Sequence, residues 1–263
     1  MKRVKINNVE IAYRDEGAGK PVVFLHAFPM NQTMWDEQVR ALSPYYRAIT
    51  LDWRGFGESE IGSVGSTMSV FANDLAGLLD RLQIEHAAIC GLSMGGYVAF
   101  DFFRSHPDRV NALILCDTRA TADTEEAKRR RYEMAELARS KGTAEIAEQM
   151  IPQLLGDTTL QSRPDVATRI RAMIETSQAE GIAQALMGMA QREDSTDLLP
   201  LVKCPTLVIV GSEDKLTPQS DAEKMLLLIK NAGLEVIDST GHLSNIECPA
   251  IFNKAVLKFL NRL

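Results

Sequence analysis

His86-Ala87-Ala88-Ile89-Cys90-Gly91-Leu92-Ser93-Met94-Gly95-Gly96 is the stretch that decides the fold. Its first half is apolar on consecutive positions, the pattern of a strand covered on both faces. Its second half reads Gly-x-Ser-x-Gly, and the apolar pattern then turns helical from Met94 to Ser105. A serine in so tight a strand-to-helix turn is held in a strained backbone conformation, and glycines two positions to either side avoid clashes. The helix behind it directs backbone N–H groups and a positive dipole end toward the serine. The strand before and the helix after separate this arrangement from a chance glycine turn, so Ser93 is the candidate nucleophile.

Working outward, similar β-branched runs occur at Pro21–His26, Arg47–Leu51, Val110–Cys116, Thr206–Val210 and Leu234–Asp238. Between them, Ser69–Leu82, Gln219–Lys230 and Ala250–Leu260 carry apolar residues at helical spacing. Strand and helix alternate, which predicts a parallel sheet with helices on each side. From Thr118 to about Asp197 the alternation stops, and Met134, Leu137, Ile146, Met150, Ile151, Ile170, Met173 and Leu186 fall on helical spacing with no strand candidate. Because the core needs both flanks, this block reads as a helical cap inserted in one domain: residues 1–118 and 198–263 form the core, and 119–197 the cap.

The 263 residues carry 29 basic and 35 acidic side chains, a formal charge of −6. No overall positive field exists to attract a phosphate backbone, so a nucleic-acid partner is not expected. The N-terminus has no apolar stretch behind its basic residues and no run approaches bilayer-spanning length, so neither a signal peptide nor a membrane partner is expected. Cys90, Cys116, Cys204 and Cys248 have no C-x-x-C spacing, and the expectation is reduced thiols in a cytoplasmic protein. The four histidines are dispersed, so no metal site is expected, and nothing in the sequence calls for a cofactor.

A serine hydroxyl needs a histidine base, itself oriented by a carboxylate. In a strand–turn–serine–helix context the acid and then the histidine follow the serine. Downstream of Ser93 stand His106 and His242. His106 ends the serine's own helix, pointing away from the turn, where the dipole favours it. His242, in Thr240-Gly241-His242-Leu243-Ser244 after the last strand, lies where open α/β sheets place their sites and is the expected base. Asp214, in the loop leaving Thr206–Val210, is the expected acid, with Asp117 after Cys116 as its rival; Glu213 points elsewhere and Asp238 is structural. Developing negative charge needs N–H donors. Met94 supplies one. In His26-Ala27-Phe28-Pro29, proline cannot donate and Phe28 is favoured over Ala27, with His26 bonding the loop backbone so that the N–H of Phe28 faces the site.

Asp52-Trp53-Arg54-Gly55-Phe56-Gly57-Glu58-Ser59 contains G-x-G, but Glu60 stands where a dinucleotide fingerprint needs its third glycine. The expectation is a tight structural loop in which Asp52 and Arg54 pair. Lys128-Arg129-Arg130-Arg131, flanked by glutamates, reads as a solvated helix face with i,i+4 pairs. Arg119, just past a strand end, is a candidate for a substrate carboxylate or for a structural ion pair. Five of the chain's 11 methionines fall in the cap, as in adaptable apolar cavities.

With these pieces assembled, the chain resembles α/β-hydrolase-fold enzymes over essentially its full length, and within them the branch of carboxylesterases and 3-oxoadipate enol-lactonases. The segments carrying the resemblance are His26–Pro29, Asp52–Ser59, Gly91–Gly96, His106–Val110, Gly211–Asp214 and Gly241-His242, together with Cys116–Ala120 before the cap. The resemblance implies Ser93, Asp214 and His242 as a triad, Phe28 and Met94 as oxyanion donors, and a small carboxylic ester or lactone as substrate. Ala27 departs from the glycine that more commonly follows the histidine, which narrows the loop without removing a backbone donor. Two other readings use the same residues: perhydrolysis or carbon–carbon bond hydrolysis, and a ligand receptor built on a hydrolase fold. An aspartate nucleophile, as in dehalogenases, is disfavoured by Ser93. Oligomeric state is not legible in the sequence.

Overall fold

The computed structural model describes residues 1–63 and 65–263. Eight strands form one sheet, β1 (Lys2–Ile6), β2 (Val9–Glu16), β3 (Pro21–Leu25), β4 (Arg47–Leu51), β5 (Ala87–Leu92), β6 (Val110–Cys116), β7 (Thr206–Gly211) and β8 (Ala232–Ile237), in spatial order β1-β2-β4-β3-β5-β6-β7-β8. From β4 onward every neighbouring pair is parallel, whereas β1 and β2 pair antiparallel with each other and β2 with β4. The expected runs all became strands, with ends shifted by no more than two residues. The antiparallel pair at the N-terminal edge was not anticipated. Its first strand, KRVKI, is largely exposed and therefore lacks the continuous apolar run that marks a doubly covered strand.

All six residues of β5 are buried, as the sequence pattern requires of a strand with helices on both faces. Those helices are α1 (Asp36–Leu42), α2 (Met68–Arg81) and α3 (Met94–Ser105), followed beyond β6 by α4 (Glu125–Lys141), α5 (Thr143–Leu154), α6 (Asp157–Ser162), α7 (Pro164–Glu175) and α8 (Ala179–Ala190), then α9 (Gln219–Leu228), α10 (Ser244–Glu247) and α11 (Pro249–Leu260). α2 packs on α3, and α1 on α11. Phe24, Trp35, Phe252 and Phe102 are fully buried in this core; removing such a ring to alanine typically costs about 3–5 kcal/mol.

Helices α4–α8 separate β6 from β7 and pack on one another through the α4–α8 and α5–α7 pairs. Among the backbone contacts that bring this helical insertion against the rest of the chain, a Cβ on Gly188 would lie 2.0 Å from the carbonyl oxygen of Ser66, and two more join pairs of glycines. At one, Gly181 meets Gly55 so closely that a Cβ on Gly181 would lie 2.3 Å from the carbonyl oxygen of Gly55. At the other, a Cβ on Gly241 would lie 2.2 Å from the nitrogen of Gly156.

Candidate active site

The site is assembled at the carboxyl ends of β3, β5, β6, β7 and β8, where loops leave a parallel sheet. Ser93 follows β5 with φ +54° and ψ −113°, outside the conformations a non-glycine residue ordinarily adopts. Its N–H donates to the carbonyl of Cys116 on the neighbouring strand (2.9 Å), and Thr118 Oγ1 donates to the Ser93 carbonyl (2.9 Å), so sheet and loop hold the strained turn from both sides. The flanking glycines are needed for close approach: a Cβ on Gly95 would lie 2.1 Å from the Leu25 carbonyl oxygen, and one on Gly91 2.3 Å from that of Gly95.

His242 is buried, and its Nδ1 lies 2.8 Å from Asp214 Oδ2. Facing a carboxylate, Nδ1 carries the proton and Nε2 is left as the acceptor. Asp214 also accepts from the N–H groups of Leu216 (2.8 Å) and Thr217 (3.0 Å) and from Thr217 Oγ1 (2.6 Å). Burial pushes this carboxyl up, but His242 and the Thr217 donors outweigh it and hold Asp214 below the ordinary carboxylate range. Thr217 was not singled out from sequence. The signal was available, because Asp214 followed by backbone donors two and three residues on is an Asx-type turn.

Asp117, the rival acid, is fully buried but does not reach the histidine; it accepts from Gly211 N–H (2.8 Å) and Ser244 Oγ (2.5 Å). Burial, then the charges of Asp214 and Glu247, push its carboxyl well above the ordinary range. Glu213 turns toward the insertion and accepts from Thr158 N–H and Oγ1.

In the loop after β3, Ala27 N–H is committed to Met34 Sδ (3.2 Å), while Phe28 lines the same cavity as Ser93 and His242. His26 is fully buried between backbone partners: Nε2 accepts from Trp53 N–H (3.1 Å), so Nδ1 is the protonated nitrogen and donates to the Ala27 carbonyl (2.9 Å). Burial lowers its pKa to about 4.

The cavity measures about 580 Å³ and runs from Ser93, His242 and Thr217 up into the insertion. Its apolar wall includes Met134, Leu137, Met150, Leu186 and Met189. Arg119 lines it as well; its nearest carboxylate oxygen, Asp221 Oδ2, is 4.0 Å away, the other oxygen of that carboxylate faces Lys224, and the buried Nε of Arg119 has no hydrogen-bond partner among the described residues. By contrast Asp123 is matched twice, by Arg131 and by Arg192 (2.8 Å), and these charges hold its carboxyl below the ordinary range despite burial.

Two expectations are corrected. Asp52 and Arg54 do not pair: Asp52 accepts from Gln32 N–H (2.7 Å), Gln32 Nε2 (2.8 Å) and Glu58 N–H (3.0 Å), while Arg54 makes a bidentate, buried pair with Asp74 at 2.7 and 2.8 Å. Asp74 sits on the buried face of α2, too far along the chain for spacing to reveal it. The basic run is only partly a solvated face. Lys128, Arg129 and Arg130 bond the flanking glutamates, but Arg131 turns inward to buried Asp123, a partner eight residues earlier and off the i,i+4 ladder.

A family model of the alpha/beta hydrolase fold matches residues 20–249, and the chain belongs to that family. Its relatives include enol-lactonases and esterases, and also 2-hydroxy-6-oxononadienedioate hydrolases. 3-Oxoadipate enol-lactonase 1 of Acinetobacter baylyi is 32% identical over 231 residues, covering 88% of this chain and 85% of its own length. A thermophilic esterase from Thermogutta terrifontis, solved with malate bound, is 44% identical with a TM-score of 0.97 over 100% of this chain and 99% of its own. The enol-lactonase from Burkholderia xenovorans LB400 is 30% identical with a TM-score of 0.92 over 99% and 100%. No helix of the described residues is long and apolar enough to cross a membrane, and they contain no group of three or more His, Cys, Asp or Glu side chains arranged to hold a metal ion.

Proposed function

We propose that the protein is a serine hydrolase of small carboxylic esters or lactones. Ser93 Oγ attacks the substrate carbonyl and passes its proton to His242 Nε2, while Asp214 stabilises the imidazolium through Nδ1–H. The N–H groups of Met94 and Phe28 take the developing oxyanion. Collapse expels the alcohol, protonated by His242, and water activated by the same histidine then cleaves the acyl-enzyme. Residues 119–197 act as a cap that walls the acyl and alcohol subsites and excludes water, set on a core of residues 1–118 and 198–263. Arg119 receives a substrate carboxylate, a role supported by its place in the cavity wall with no carboxylate of the described residues nearer than 4.0 Å.

The observation that carries the reading is the Asp214–His242 hydrogen bond at 2.8 Å, opening on the same cavity as a serine with φ +54° at a helix N-terminus. Strain of this kind is retained where a mechanism uses it. The test is Ser93→Ala: hydrolysis of p-nitrophenyl acetate is expected to vanish while the circular dichroism spectrum is unchanged. A folded variant retaining most of its activity overturns the assignment.

A further inference from the structure

The loop that carries His242 is held by a side chain that the mechanism above does not use. Glu247, at the end of α10, is buried, and its carboxylate faces backbone rather than any cation. Oε1 accepts from Gly241 N–H (2.9 Å) and Leu243 N–H (3.3 Å), the residues on either side of His242. Oε2 accepts from Gly156 N–H (3.0 Å), in the helical insertion between α5 and α6. The N–H of His242 itself donates to the Leu154 carbonyl at the end of α5 (3.0 Å). Three successive backbone donors are thus fixed, one by the insertion directly and two by a carboxylate that also grips the insertion.

The packing around this junction is independent of those bonds and equally tight. A Cβ on Gly241 would lie 2.2 Å from Gly156 N and 2.6 Å from the Leu155 carbonyl carbon. One on Gly156 would lie 2.5 Å from Glu213 Oε2 and 2.8 Å from Gly241 N. Backbone therefore meets backbone where the insertion touches the histidine loop, and Glu213, next to Asp214, adds its own bonds to Thr158 on the same side.

We infer that Glu247 is a positioning residue that locks the His242 loop and couples its alignment to the seating of the helical insertion. This rests on His242 being the base of the proposed reaction. A buried carboxylate is costly unless its hydrogen bonds are made, and here all of them are spent on the loop and its clamp rather than on substrate. Angular drift of the imidazole would then slow proton transfer without altering the cavity walls that bind substrate.

Glu247→Gln separates the two halves of the clamp. The carboxamide oxygen can still accept from Gly241 and Leu243, but its NH2 then opposes the Gly156 N–H. The expected result for the folded variant is a kcat lowered about 10- to 100-fold, with KM within about threefold. The far-downfield proton signal of His242 Nδ1–H should also shift or broaden. Glu247→Asp, which keeps the charge but shortens the reach, gives the same readouts should the glutamine variant not fold. Unchanged kcat and an unchanged proton signal in a folded variant overturn the inference, as does loss of folding in both variants, which would make the role purely structural. His242→Ala, assayed in parallel, separates this outcome from failure of the functional reading. An inactive His242→Ala leaves that reading standing whatever Glu247 does, whereas an active one overturns both.

Discussion

His26 gives a stability prediction that can be worked from the structure. Its Nε2 accepts the Trp53 N–H, and its ring lies 5.9 Å from that of Trp53 and 5.3 Å from that of Phe56. Protonating Nε2 would break the hydrogen bond and place a charge among aromatic rings, which is why burial lowers the folded pKa to about 4 from 6.5. Between those values the unfolded chain binds the extra proton and the folded one does not, so stability rises with pH across the window and is lost as pH falls through it. The whole span is worth about 3 kcal/mol, of which about 2 kcal/mol is lost between pH 7 and pH 5. The perturbation is His26→Asn, whose amide can still donate to the Ala27 carbonyl but does not titrate. Urea unfolding followed by the fluorescence of buried Trp35 and Trp53 at pH 7 and pH 5 measures the effect. The fall in unfolding free energy should be about 2 kcal/mol larger for the natural chain than for the variant. Asp52 and Asp117, whose raised values also make stability pH-dependent, are present in both proteins and cancel. Parallel pH dependences would refute the reasoning.

Asp214→Asn should lower kcat by about 10⁴-fold, because the amide disfavours the Nδ1–H tautomer, while Asp117→Asn should change it by less than about tenfold; steady-state kinetics on one ester decides between the two carboxylates. Arg119→Gln is expected to raise KM about 10- to 100-fold for an ester bearing a free carboxylate and to leave its neutral methyl-ester counterpart unchanged; equal effects on both would remove the arginine from recognition. Thr217→Val removes a hydrogen bond to a charged group and should cost about 1.5–3 kcal/mol at neutral pH. Since Asp214 has a lowered value, that difference is full above the ordinary carboxylate range and closes as pH falls through the folded value, which a pH series of urea melts would follow.

The parallel sheet was legible because strands covered on both faces leave an apolar run that little else produces: Arg47–Leu51 and Val110–Cys116 stand in the structure at the residues read from sequence. The N-terminal antiparallel pair was not, since an edge strand such as β1 exposes most of its side chains and carries only weak alternation. Ser93 and His242 could be named as candidates because a strained turn and a single suitably placed histidine are local signals. The supports around them were less accessible. Thr217 lies within a local turn, but the partners of Arg54, Arg131 and Glu247 are chosen by tertiary packing, and a carboxylate that bonds backbone N–H groups has no side-chain partner whose spacing would reveal it.

The glycine contacts at Gly55–Gly181 and Gly156–Gly241 bear on how such a protein can be re-engineered. A helical segment transplanted from a relative would arrive with its own residues at the positions of 156, 181 and 188, and any side chain there would meet backbone within 3 Å. Such chimeras are expected to fail at the seam rather than in the cavity. Altering specificity one residue at a time, at Met134, Met150 or Met189 in the cavity wall, leaves these glycine contacts intact.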